Sequence, residues 1–150
     1  MVLLCVLACR LGAQVVYTWS GGDILTGTIV PTGVTTVTGL DTLNIQTTAD
    51  HDFNGKLVTI NGTANWSAGN LRSGGAGSIT NNAIWNDTAT AQLNGAFGGG
   101  ASFINAATGV YTKSAGVTTF NIGLNNAGTV TVTGGSLNLN AGGAFTNGSV

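Results

Sequence analysis

The chain has 150 residues, 43% hydrophobic and only 6% charged, with a formal net charge of −1. So few charges exclude the clustered Lys and Arg of a nucleic-acid footprint, and the abundance of Val, Ile, Leu and Thr excludes ordinary disorder. The length is that of one domain or of a piece of a longer array, and with Glu absent and Pro present once, at Pro31, the surface must be built from Thr, Ser, Asn and Gly.

Residues 1–14 read differently from the rest. Met1 to Cys9 is apolar and Leu11-Gly12-Ala13 supplies a small residue for cleavage, so the expectation is a secretory signal peptide. No basic residue opens it and Arg10 follows it closely, as if the start codon were set too far downstream. The alternatives are a lipoprotein signal, with Cys9 after Val6-Leu7-Ala8, and a buried first strand. Cys5 and Cys9 both lie here, so removal would leave no thiol, disulfide or Cys metal ligand. No segment is long enough to span a bilayer as a helix.

Val15 to Trp19 reads as a strand, and Ser20-Gly21-Gly22-Asp23 as a turn. Trp19-Ser20-Gly21-Gly22-Asp23 recurs loosely as Trp66-Ser67-Ala68-Gly69-Asn70, with Trp85-Asn86-Asp87 a weaker third copy. A Trp at such a place packs on a corner or stacks on a sugar ring, and packing is favoured. Ile24–Val30 and Val34–Ile45 alternate as strands about Pro31-Thr32-Gly33, and Gly55–Gly62 adds a strand and turn. Glycines dominate Ala68–Ser78, which reads as a loop or flat coil; Gly98-Gly99-Gly100 is a corner. Strands follow at Ser102–Ile104, Val110–Thr112 and Val117–Ile122. Val130 and Val132 then alternate with Thr, and Leu137 and Leu139 with Asn, so these four are expected to point inwards. No window after residue 14 has a capped 3.6-residue apolar period, and the fold class is all-β.

Asn61, Asn82, Asn105, Asn126 and Asn147 are separated by 21, 23, 21 and 21 positions, and Asp41 lies 20 before Asn61. A period near 20 in a strand-forming chain predicts a parallel β-helix, or β-solenoid, with coils of about 20 residues. Asn tolerates the left-handed backbone of a corner and stacks in amide ladders. Five intervals at the strand spacing of about 4.8 Å make a rod of roughly 24 Å.

These Asn/Gly-punctuated units resemble the passenger regions of bacterial autotransporter and filamentous-haemagglutinin-like adhesins. The likeness is carried by Asn126-Ala127-Gly128-Thr129-Val130-Thr131-Val132, by Gly134-Gly135-Ser136-Leu137-Asn138-Leu139 and by the Val16-Tyr17-Thr18-Trp19-Ser20-Gly21-Gly22 opening. It is compositional and covers most of residues 15–150. The resemblance implies a right-handed β-helix, export to the surface of a Gram-negative cell, association with the outer membrane, and a structural or adhesive role. Residues 15–150 would be the N-terminal part of a longer array, with no membrane barrel or sorting tail of its own. The implied partners are further repeats of the same chain and host or environmental glycans or proteins; no nucleic acid and no membrane span are expected.

Candidate chemistry is thin. Asp50-His51-Asp52 is the one cluster of ionisable residues, but neighbours on a strand cannot all point one way, a metal would need further ligands, and a solvated loop is the favoured reading. A Ser-His-Asp triad would need His51 with Asp23, Asp41 or Asp87, and no Gly-x-Ser-x-Gly elbow supports a nucleophile. Lys56, Arg72 and Lys113 are far apart for lyase chemistry, Gly98-Gly99-Gly100 lacks the Lys of a phosphate loop, and Gly74-Gly75-Ala76-Gly77-Ser78 lacks the Asp of a calcium roll. The expectation is a non-enzymatic segment with no catalytic, cofactor or metal residues and its titratable groups mostly isolated. The alternatives are a carbohydrate-active β-helix enzyme and a sugar-binding module using Trp19, Trp66 and Trp85.

Overall fold

A computed structural model describes residues 14–23 and 34–146. The expected leader, the Ile24–Val30 strand and Asn147 therefore fall wholly or almost wholly outside the described residues. Every named strand pairing within them is parallel, and no helix occurs among them.

Each coil contributes one strand to each of three sheets. The first holds β1 (Val16–Thr18), β2 (Gly22–Asp23) and β3 (Val34–Val37); the second β4 (Thr42–Ile45), β5 (His51–Asp52) and β6 (Leu57–Ile60). The third holds β7 (Thr63–Trp66), β8 (Leu71–Arg72) and β9 (Gly77–Asn81); the fourth β10 (Ile84–Asp87), β11 (Ala91–Asn94) and β12 (Ala101–Asn105). β13 (Val110–Lys113), β14 (Val117–Phe120) and β15 (Gly123–Asn126) make the fifth, and β16 (Thr129–Val132) and β17 (Ser136–Leu139) begin another. The sheets run β1-β4-β7-β10-β13-β16, β2-β5-β8-β11-β14-β17 and β3-β6-β9-β12-β15. The fold is a β-solenoid of about 5 turns with coils of about 21 residues.

The coils are uneven. Val16, Thr42, Thr63, Ile84, Val110 and Thr129 stack, so successive coils take 26, 21, 21, 26 and 19 residues. In the fourth coil the extra residues lie between strands, at 95–100 and 106–109. Ala68–Ser78, expected as a loop or flat coil, is not one loop: Leu71–Arg72 and the start of Gly77–Asn81 are strands on either side of a tight corner. Ala76 takes a left-handed φ of 61° there, and its N–H reaches the Gly99 and Gly100 carbonyls of the next corner at 3.0 and 2.9 Å.

Alternation sends every second side chain inwards. One column of the first sheet is Tyr17, Leu43, Ala64, Trp85, Tyr111 and Val130, and the next is Ile45, Trp66, Asp87, Lys113 and Val132. Trp66, Trp85, Phe103, Tyr111 and Phe120 meet edge to face at centroid distances of 4.9–6.3 Å. All five are 1% exposed or less. Val130 is buried as expected, and Leu137 is half-buried against the core. Val132 and Leu139 lie in inward columns, beside Lys113 and Phe120, yet are 46% and 36% exposed. The coil they belong to has no coil above it among the described residues.

The asparagine ladder forms, with different members from those the spacing suggested. Asn82 Nδ2 donates to Asn61 Oδ1 at 2.8 Å on the outer side. The inner column is Val37, Ile60, Asn81, Asn105 and Asn126. The sequence spacing therefore crosses from one face to the other between Asn82 and Asn105. A slip of one residue on a strand reverses the face, and the interval of 23 marks the slip. Asn81 Nδ2 donates to Asn105 Oδ1 at 2.8 Å and Asn105 Nδ2 to Asn126 Oδ1 at 2.7 Å, all three being buried. A further ladder, Asn86 to Asn65 to Asn44 at 2.9 and 3.0 Å, runs along the outer face of the first sheet.

Candidate functional site

Three polar constellations stand out, two of them on opposite sides of the coil wall. Asp50, His51 and Asp52 do not form the expected solvated loop. His51 and Asp52 make β5, pairing Gly22–Asp23 on one side and Leu71–Arg72 on the other. Alternation then splits the trio, as expected for adjacent strand residues. His51 points inwards and is fully buried, edge-on to Trp19 at 5.2 Å. Its Nε2 lies 2.9 Å from the Trp19 carbonyl oxygen and 3.2 Å from Thr47 Oγ1, so Nε2–H donating to the carbonyl is the tautomer assigned by the hydrogen bonds. Nδ1 is buried without a partner among the described residues. Burial pushes the His51 pKa below its ordinary 6.5.

Space for that ring depends on Gly69. A Cβ there would overlap the Ala49 carbonyl oxygen and the His51 ring, and φ is +77° besides.

Asp50 and Asp52 point outwards, and Arg72 of the next coil bridges them. Its Nε and Nη2 reach the two Asp52 oxygens at 2.7 and 2.9 Å, and Nη1 reaches Asp50 Oδ2 at 2.8 Å. The Phe97 ring covers the guanidinium at 5.4 Å. Hydrogen bonding to Asp52 raises the Arg72 pKa further above its ordinary value. One guanidinium thus engages both carboxylates.

The second constellation is one that sequence reasoning missed. Asp87 and Lys113 are register partners on β10 and β13, and both point inwards with no exposure. Lys113 Nζ donates to Asp87 Oδ1 at 2.9 Å, to the Ala89 carbonyl at 2.6 Å and to Thr118 Oγ1 at 2.7 Å. The Ala89 N–H donates to Asp87 Oδ1 at 2.8 Å, and the Tyr111 hydroxyl donates to Oδ2 at 2.5 Å. Burial, then the neighbouring Asp87 charge, raises the Tyr111 pKa well above 10.0, so the phenol keeps its proton. Lys113 and Asp87 are thus not isolated. The 26-residue interval between them differs from the 21 of the two preceding coils, so no fixed period links them in sequence.

The third is a shallow groove on the outer face of the second sheet, lined by Asn70, Thr90, Ala91, Gln92, Val117 and Thr119. Its volume of about 270 Å³ is below the usual range for small-molecule sites. Trp19, Trp66 and Trp85 do not line it: they are 1%, 1% and 0% exposed. Trp19 Nε1 donates to the Gly22 carbonyl at 3.2 Å and Trp66 Nε1 to that of Gly69 at 2.9 Å, which is the corner-packing role. Trp85 lies in a different column from Trp66, so the third copy of the Trp motif is out of register.

No group of three or more His, Cys, Asp or Glu among the described residues is placed to hold a metal ion. No described helix is long and apolar enough to cross a membrane. Set against family models, curated proteins and solved structures, the chain matches none.

Proposed function

We propose that this chain is a structural or adhesive β-solenoid segment, secreted or displayed at a cell surface, without catalytic activity. One observation carries the reading: the chain's clustered charges are used to hold coil to coil. Asp87 and Lys113 are sealed within the core, Asp50 and Asp52 share Arg72, and His51 is buried. General acid–base work needs a titratable group within reach of a substrate, whereas Asp87, Lys113 and His51 are buried and Asp50 and Asp52 are paired with Arg72. What remains outside is a repeating surface of Thr, Ser and Asn with amide ladders running along the axis. Such a surface suits a stalk or a face that binds weakly at many points. An extracellular setting agrees with a surface nearly free of charge and with the apolar opening of the chain.

A sugar-binding role would draw on the groove lined by Asn70, Gln92 and Thr119 rather than on the three Trp, which are buried. The test has two arms: protease shaving of intact cells that make the protein, and incubation of the purified chain with acidic and neutral polysaccharides, with and without calcium. Surface exposure with no products is expected. Retention inside the cell would overturn the location. Reducing ends or unsaturated products that vanish in His51→Ala or Asp52→Asn would overturn the non-catalytic reading.

A further inference from the structure

We propose that Asp87 and Lys113 condense to an intramolecular amide that staples two adjacent coils. The two side chains are register partners, both without exposure, with Nζ 2.9 Å from Oδ1. The carbon to be attacked is one bond beyond that oxygen, so the contact already holds the amine beside its target.

Every atom that changes bonding already has a partner suited to the change. Oδ1, the oxygen that leaves, lies against Nζ and accepts the Ala89 backbone N–H at 2.8 Å. Oδ2, which carries the developing oxyanion, accepts the Tyr111 hydroxyl. Desolvation keeps that phenol protonated and able to donate. The Ala89 carbonyl and Thr118 Oγ1 hold the other ammonium hydrogens and aim the nitrogen.

The reaction balances within the pair. A proton passes from the ammonium to Oδ1 along the contact between them, the free amine attacks Asp87 Cγ, and the Nζ–Cγ bond forms as the negative charge moves to Oδ2. The nitrogen then gives a second proton to Oδ1, the Cγ–Oδ1 bond breaks, and the carbonyl re-forms at Oδ2. Two of the three ammonium hydrogens leave with Oδ1 as water, and the third remains as the amide N–H, placed to donate to the Ala89 carbonyl. Nothing is oxidised or reduced. The driving force is physical as well as chemical. Two opposite charges held out of water are expensive, the amide carries neither, and a closed apolar core leaves the departing water little access for return.

The experiment is peptide mapping by tandem mass spectrometry of the full chain, in a sample whose cooperative melting shows that it is folded. The expected result is one branched peptide joining Asp87 to Lys113, lighter by one water than its two parts. Separate linear peptides with a free Lys113 amine from folded protein would overturn the proposal. Lys113→Arg should abolish the branched peptide; its persistence would assign the link to other residues and also overturn the proposal. In chain made by cell-free synthesis and sampled over time, Tyr111→Phe should slow linkage at least tenfold, since it keeps the ring and removes the hydrogen-bond donor to the oxyanion. A purely structural tyrosine would leave that rate unchanged.

Discussion

Asp87–Lys113 and Asp52–Arg72 have the same ingredients. Each is an acid and a base facing one another across a single step of a parallel ladder. They differ in the side of the sheet they occupy. Arg72 and Asp52 keep 31% and 18% of their side-chain surface, and Lys113 and Asp87 keep none. Water screens the outer pair and lets either partner be lost cheaply. Inside, each charge survives only through the other, and the site also needs Tyr111, Thr118 and the Ala89 backbone to meet the remaining hydrogen-bond demand. The side of the wall, set by strand parity, decides whether an ion pair is decoration or a structural obligation.

The strongest way to break this comparison is Asp87→Ala. It leaves a buried ammonium without its counter-charge and should cost about 3–5 kcal/mol, read as a lower urea midpoint. The double change Asp87→Leu with Lys113→Met removes both charges and should recover the part of the loss that comes from the orphaned ammonium. A single variant as stable as the parent would mean that water reaches the site.

Buried neutral polarity should fall between the two extremes. Asn105 donates to Asn126 Oδ1 and the Thr129 carbonyl and accepts from Asn81. Asn105→Ala orphans these groups at about 1–3 kcal/mol for each that water cannot reach. Asn82→Ala, on the outer ladder, should be within about 0.5 kcal/mol of the parent. Equal melting temperatures for the two variants would contradict the inner placement of Asn105.

His51 sharpens the comparison through pH. Its folded pKa is held below 6.5 by burial, so as pH falls the unfolded chain takes the proton first. The stability tied to neutral His51 is complete above 6.5 and is lost as the pH drops beneath that value. The carboxylates of Asp50 and Asp52 flank it, but they face outwards to Arg72. Melting temperatures from about pH 8 to pH 5 should fall more steeply for the parent than for His51→Leu. Parallel curves would place the imidazole in contact with water.

A small effect is also expected at the outer clamp. Arg72→Ala should cost about 0–1 kcal/mol, and added salt should shrink the difference further. A loss as large as that of Asp87→Ala would erase the distinction between the two sides.

The sequence by itself determined the fold class, the strand-forming segments and the approximate coil. β-branched residues at period two, Gly at the breaks and recurrent Asn are local signals, and local signals follow from backbone geometry. It also showed that Asp50, His51 and Asp52 could not all point one way on a strand, but it read the stretch as a solvated loop, where His51–Asp52 is a strand. Tertiary structure alone decided which residues share a column. Coils of 26, 21, 21, 26 and 19 residues allow corners to absorb insertions, and each one-residue slip exchanges inside for outside. That is why Asn81 rather than Asn82 stacks with Asn105, and why the Asp87–Lys113 pair was invisible in sequence. Pairing depends on register summed over a whole coil, and no short window of the chain contains that sum.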